Sequence, residues 1–344
     1  MRAIVASAFL TASVLSAPAA HAQKDPPRLP IDVAEVGLPP GFSRVIVSVT
    51  PGALASVAVF GDRFALQHFA VRDGVRAGDP LAEDGFLPRV VSFLVPEGVF
   101  EVELTVEVSS EVTLTRTLMT PSRAVPTDEA PGTLVGLPWP RTRDDGYLCE
   151  RPGRYQMARP DVLVSLLEAF RETRARYRRD PIGVSDLSQW DGRRPALDLG
   201  NPRHVSHEGG RDVDIGLPST EEPSLMRDHC DKVIAPDYQK AVCKPGTGRA
   251  LDTYRLAFLL GRLVKTGTVD KVFLDDEFID PVARAATSLA AQHVIPTRSA
   301  EALQPGAGML KHLPWHTDHV HVRFLGAKAA GPWPGRGASP PPSE

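Results

Sequence analysis

The chain has 344 residues, 42% hydrophobic and 24% charged, with a formal net charge of −3. This ordinary composition argues for a folded, soluble protein of two domains or one large one. A balance so near neutral gives no support for nucleic-acid binding, and nothing beyond the N-terminus is long and apolar enough to span a bilayer.

The first 22 residues read as a secretory signal, with Arg2 as the positive start, an apolar stretch over 4–15, and Ala20-His21-Ala22 as a small-x-small cleavage site before Gln23. The apolar stretch is far shorter than the ~20 residues of a membrane span. An exported chain is therefore expected, periplasmic or released. It loses Arg2 and keeps 38 basic against 42 acidic residues, a net −4. Three cysteines remain: Cys149, Cys230 and Cys243. An oxidising compartment favours a disulfide, and Cys230 with Cys243 is the simplest pair, although all three single pairings are open. No C-x-x-C is present, which argues against thiolate ligation of zinc.

From about 31 to 120 the pattern is short and β-like. In EVELTVEV, Val102, Leu104, Val106 and Val108 share one face while Glu101, Glu103, Thr105 and Glu107 share the other. Pro and Gly punctuate such runs, which predicts a small antiparallel sandwich over 23–125. No catalytic constellation stands in it; a partner-binding or orienting role and a plain structural appendage are both open. A Pro- and Gly-rich linker is expected at 126–140, leading to a second domain at 141–326.

Pro160-Asp161 opens a helix there, with Val162, Leu163, Leu166, Leu167 and Phe170 on one face. A strand over 182–184, a helix over 252–264, a strand over 271–275 and a helix over 281–291 follow. Strands and helices mix without βαβ repetition, so the class is α+β. The tail at 327–344 lacks core-forming residues and is expected to be disordered.

Two segments concentrate potential ligands. HVSHEGGRDVDIGL carries His204, His207, Asp212 and Asp214; HTDHVHVRF carries His316, His319 and His321. In an extended VHVRF, His319, His321 and Arg323 point one way and Val320, Val322 and Phe324 the other. The same alternation puts Asp212 and Asp214 on one face, and Gly209-Gly210 permits a tight turn before them. A metal joining the two strands is the expectation, since zinc enzymes commonly use three imidazole or carboxylate ligands.

These residues carry a resemblance. GVSDLSQWDGRRPALDLGNPRHVSHEGGRDVDIGL resembles the first metal-binding segment of penicillin-insensitive murein endopeptidases, and PWHTDHVHVRF resembles their second. These belong to a wider group of zinc peptidases that includes lysostaphin, D-alanyl-D-alanine carboxypeptidases and the hedgehog domain. The resemblance covers residues 146–324 and rests on H-x6-D (His207, Asp214) and H-x-H (His319, His321). It implies a zinc peptidase domain with a central antiparallel sheet and flanking helices, and zinc on His207, Asp214 and His321. It further implies that His319 is the catalytic neighbour of the metal, and that His316 and His204 line the site. Asp212 is then a second-layer partner, Arg323 a substrate or salt-bridge residue, and Asp186 and Ser188 lie nearby.

The implied reaction is hydrolysis of peptidoglycan cross-links, at the D-alanyl to diamino-acid bond, by zinc-activated water. A D,D- or L,D-carboxypeptidase on muropeptide stems is the alternative enzyme. A non-catalytic, zinc-stabilised cell-wall binding protein is the alternative of another class. A serine hydrolase is disfavoured because neither Ser185 nor Ser206 lies in a G-x-S-x-G elbow.

Overall fold

A computed structural model describes residues 28–326, except 31–34, 52–53, 61–63, 72–88, 96–97, 109–111, 120–133, 139, 141, 152–154, 190–191, 222 and 237–239. The predicted signal segment, most of the linker and the Pro-rich tail lie outside the described residues.

Between residues 28 and 119 the alternating pattern produces two four-stranded sheets. One runs Arg28–Leu29, Gly41–Ser48, Glu101–Val108, Phe64–Val71; the other runs Glu35–Leu38, Val112–Met119, Leu54–Phe60, Arg89–Leu94. Pairing is antiparallel except between Arg28–Leu29 and Gly41–Ser48. Val102 and Leu104 are buried as their period requires, while Glu103 reaches across its strand pair to accept Arg44 Nε at 2.8 Å and Nη2 at 2.5 Å.

The C-terminal part is α+β. Its six-stranded sheet has the order Tyr147–Cys149, Ile182–Val184, Asp212–Gly216, His319–Phe324, Val269–Leu274, Leu310–His312. The sheet is mixed rather than antiparallel throughout. Its central pairs are antiparallel, but Tyr147–Cys149 runs parallel to Ile182–Val184, and Leu310–His312 parallel to Val269–Leu274. Both edge strands have only three residues, too few for a period that shows direction.

Among the described residues four α-helices accompany the sheet: α1 (Pro160–Tyr177), α2 (Thr253–Lys265), α3 (Asp276–Ala291) and α4 (Thr297–Ala302). Pro160 occupies the first turn of α1, where its missing N–H removes no bond. The predicted stripe Val162, Leu163, Leu166, Leu167 and Phe170 is buried, each side chain contributing about 1.5–3 kcal/mol. α3 starts earlier than its Pro281 suggests, because the Asp275 side chain accepts from Glu277 N and caps the helix six residues before the proline. These helices, together with Val213, Ile215, Val320 and Val322 of the sheet, form one core.

Cys230 and Cys243 form a disulfide that closes the hairpin of Lys232–Ile234 with Ala241–Cys243, and Cys149 is free. No helix among the described residues is long and apolar enough to cross a membrane.

Candidate metal centre

Asp212–Gly216 and His319–Phe324 lie side by side with Asp212 opposite Arg323, Asp214 opposite His321 and Gly216 opposite His319. One face of this pair, Val213, Ile215, Val320 and Val322, enters the core. Alternation therefore leaves Asp212, Asp214, His319 and His321 together on the other.

His204 and His207 arrive on the loop before this pair. The loop bends through left-handed backbone at His207 (φ 64), Gly209 (φ 66) and Gly210 (φ 70). At Gly210 a Cβ would run into the Leu134 side chain and stand 2.6 Å from Arg159 N, so the turn requires glycine. His207 adopts the same region with a side chain, a strain of about 1–3 kcal/mol that its burial and bonding hold in place. His316 follows Trp315, another left-handed residue (φ 69), whose N–H is anchored on the Ala241 carbonyl.

The buried Asp214 Oδ1 is the centre of the cluster. It lies 3.1 Å from His207 Nε2, 3.6 Å from His321 Nδ1 and 3.6 Å from His319 Nε2. The outward nitrogen of each ring decides where its proton sits. His207 Nδ1 donates to the Leu187 carbonyl at 2.9 Å and His316 Nδ1 to the Pro314 carbonyl at 2.7 Å. His321 Nε2 meets Asp212 at 2.8 Å, and His319 Nδ1 meets Asp318 at 2.6 Å. A carbonyl or carboxylate only accepts, so in the neutral rings the inward nitrogens carry lone pairs. His207 Nε2, Asp214 Oδ1 and His316 Nε2 are buried without a hydrogen-bond partner. Imidazole lone pairs and a carboxylate oxygen with no protein partner are the donor set of a cation.

Protonation follows from the same geometry. Burial opposes charge on His207, but the charge of Asp214, together with that of Asp212 and the Leu187 carbonyl, raises its pKa to about 9. Burial would raise Asp214, yet the charges of His207 and His319 hold it well below the carboxylate range. Burial and the charge of His319 push His316 down to about 4, and burial also lowers His321. Burial lowers His319 as well, but Asp214 and Asp318 outweigh it and the net direction is up.

His204, His207 and Asp214 bring ligand atoms within 4.8 Å of one another, a group that could hold a metal ion. His204 differs from the other rings. Its Nε2 is 2.8 Å from Asp186 Oδ2 and 3.7 Å from Asp214 Oδ2, so that nitrogen is spent on Asp186. Asp186 also takes Arg203 Nη2 at 2.6 Å and Nε at 3.0 Å, and the Arg203 guanidinium stacks over Tyr155.

Comparison with known proteins adds little to this arrangement. No family model matches the chain, and no curated protein matches its sequence. Among solved structures it is similar to a periplasmic inhibitor of g-type lysozyme from Aeromonas hydrophila, over 27% of this chain and 96% of that one, at 9% identity and a TM-score of 0.18. A likeness that small carries no argument.

The structure thus brings together His204, His207, Asp212, Asp214, His316, His319, His321, Arg323 and Asp186. Ser188 stays apart, since its hydroxyl donates to the Met157 carbonyl at 2.7 Å and its backbone bridges to the same residue. Arg323 is engaged within the cluster although partly exposed: its Nε donates to Asp212 at 2.7 Å and its guanidinium lies over Phe273. Sequence reasoning missed Asp318, although it stands next to His319. It also missed Phe273, whose ring meets His321 edge-on at 5.3 Å, and the carbonyls of Leu187 and Pro314.

Proposed function

We propose that this protein is a zinc-dependent peptidase that hydrolyses peptide cross-links of peptidoglycan at the D-alanyl to diamino-acid bond. The observation that carries the metal part is the convergence of His207 Nε2, His321 Nδ1 and His319 Nε2 on the partnerless Asp214 Oδ1. The substrate part rests on the resemblance of the two motif segments to murein endopeptidases.

In this reading His207, Asp214 and His321 hold the ion, because each offers an inward donor atom that nothing outside the cluster engages. His204, its Nε2 spent on Asp186, lines the wall instead. A bound zinc supplies a Lewis acid that polarises a carbonyl and lowers the pKa of water towards ~7. The rest is done by this chain. Asp212 and the Leu187 carbonyl keep the protons of His321 and His207 on the outer nitrogens. His319 Nε2 is the atom that accepts and returns a proton during hydrolysis. His316 Nε2, neutral and partnerless, adds a second nitrogen beside His319, their ring centroids 4.6 Å apart. The disulfide supports export to an oxidising compartment such as the periplasm.

Digestion of cross-linked dimeric muropeptides, with and without a chelator, followed by mass spectrometry, tests this. Monomers with a new diamino-acid amine should appear only when metal is present. Release of free D-alanine would instead identify a carboxypeptidase, and a fully metallated sample without any product would refute the reading.

A further inference from the structure

We propose that Asp318 is the positioning residue for His319, fixing the ring proton on Nδ1 so that Nε2 faces Asp214 as a lone pair. The inference rests on the reading of this cluster as a hydrolytic centre and adds a residue to it.

His319 stands between two carboxylates. Asp318 Oδ1 is 2.6 Å from Nδ1, and Asp214 Oδ1 is 3.6 Å from Nε2. A neutral imidazole has one proton to give, and each carboxylate only accepts. Without Asp318, Asp214 would draw the proton to Nε2, the atom needed as acceptor. The difference of 1 Å decides the contest, because 2.6 Å is a short charge-assisted hydrogen bond and 3.6 Å lies outside hydrogen-bonding range.

The chain holds Asp318 for this contact from both sides. Its backbone carbonyl accepts Leu217 N at 3.4 Å, which fixes the residue just beyond the strand Asp212–Gly216. The preceding Thr317 turns its hydroxyl to Asp228, which also meets Lys232 Nζ at 2.9 Å. Lys232 pairs with Asp228 and its charge also reaches the Asp318 carboxylate, whose hydrogen bond goes to His319. The two histidines of H-x-H consequently each own an aspartate, Asp212 for His321 and Asp318 for His319, but with opposite inward atoms, Nδ1 and Nε2.

The test uses the zinc-loaded full chain with 15N-labelled histidine. Long-range 1H–15N correlations should show His319 as the Nδ1–H tautomer in the unaltered protein and as Nε2–H in Asp318→Ala. On dimeric muropeptides, Asp318→Ala should lower kcat by about 10- to 100-fold with KM and zinc stoichiometry unchanged. Asp318→Asn, the same shape without the charge, serves if the alanine variant does not fold, and should lower kcat in the same pattern. An Nε2–H tautomer in the unaltered protein, a tautomer that survives Asp318→Ala, or unchanged kcat in both variants overturns the proposal. Should the unaltered protein cleave nothing yet show the Asp318-dependent tautomer, the peptidase reading falls and the positioning role stands.

Discussion

Replacing Asp212 with Asn removes one negative charge from an oxygen that accepts two hydrogen bonds, from His321 Nε2 at 2.8 Å and Arg323 Nε at 2.7 Å. Burial would raise the Asp212 pKa, but the hydrogen bond and charge of His321, the charge of His207 and the bond from Arg323 hold it far below the ordinary range, so it is ionised at neutral pH. A hydrogen bond to a charged group contributes about 1.5–3 kcal/mol against about 0.5–1.5 between neutral partners, so two such bonds lose about 2 kcal/mol. The Arg323 side chain is 25% exposed and can rehydrate, which keeps the loss from growing further. Urea unfolding of the metal-free chain should show this decrease. Zinc affinity, measured by competition with a chromophoric chelator, should fall about 10- to 100-fold, because the partner that fixes the His321 proton on Nε2 is weakened. Arg323→Ala leaves the Asp212–His321 bond intact and should weaken zinc binding less. If Asp212→Asn binds zinc as tightly as the unaltered protein, or if Arg323→Ala is equally damaging, the claim that Asp212 acts through His321 is wrong.

Zinc must displace the proton that Asp214 helps His207 retain, so affinity should rise with pH until about 9 and level off above it, as calorimetry in buffers of different ionisation enthalpy would show. In the metal-free chain the sign is opposite. The folded pKa of His207 lies above its unfolded value of 6.5, so its contribution to stability is complete below pH 6.5 and lost as pH rises through about 9, which unfolding across that window measures. Replacing both Cys230 and Cys243 with Ser opens a loop of 13-residue separation and should lower stability by about 3 kcal/mol in denaturant titrations. Cys149 is partly buried, and desolvation pushes its thiol pKa far up, so iodoacetamide at pH 8 should label it far more slowly in the native chain than in urea.

The sequence made half of this site legible. Period two is local, so HVHVRF and RDVDIG declare which residues share a face, and the valines of both are indeed in the core. Their register is another matter. That Asp214 falls opposite His321 depends on pairing across more than a hundred residues, which no local pattern specifies. The acceptors on the outward nitrogens divide the same way. Asp212 was visible as part of an alternating run, whereas the Leu187 and Pro314 carbonyls have no side-chain signature. Asp318 falls on the opposite parity from His319 and was overlooked, because it reaches the ring from the turn before the strand rather than from the strand face. The helical stripe of α1 is legible in full since its five apolar positions repeat at helical spacing. The start of α3 is not, because a proline usually stands in a helix's first turn and Pro281 lies in the second, beyond the Asp275 cap.

One pair of strands carries two opposed designs. On the inner face Val213, Ile215, Val320 and Val322 are completely buried, the arrangement stability alone would choose. On the outer face, in the same register, Asp214 is as deeply buried yet charged, with one oxygen that no hydrogen bond satisfies. A buried ion group of this kind is often no more stable than an apolar replacement of the same volume, while an unpaired buried charge is strongly destabilising. The fold resolves that tension only by supplying a positive partner at Asp214 Oδ1. In the metal-free chain the partner is a proton on His207, whose raised pKa expresses it. The other rings facing that oxygen, His319 and His321, turn inward the nitrogens that their own aspartates leave free. A proton engages one nitrogen and leaves the others facing an oxygen they cannot bond while neutral; a divalent cation engages several at once. The cost of this face to stability, beside the apolar packing of its reverse, is what a cation held by the cluster could offset.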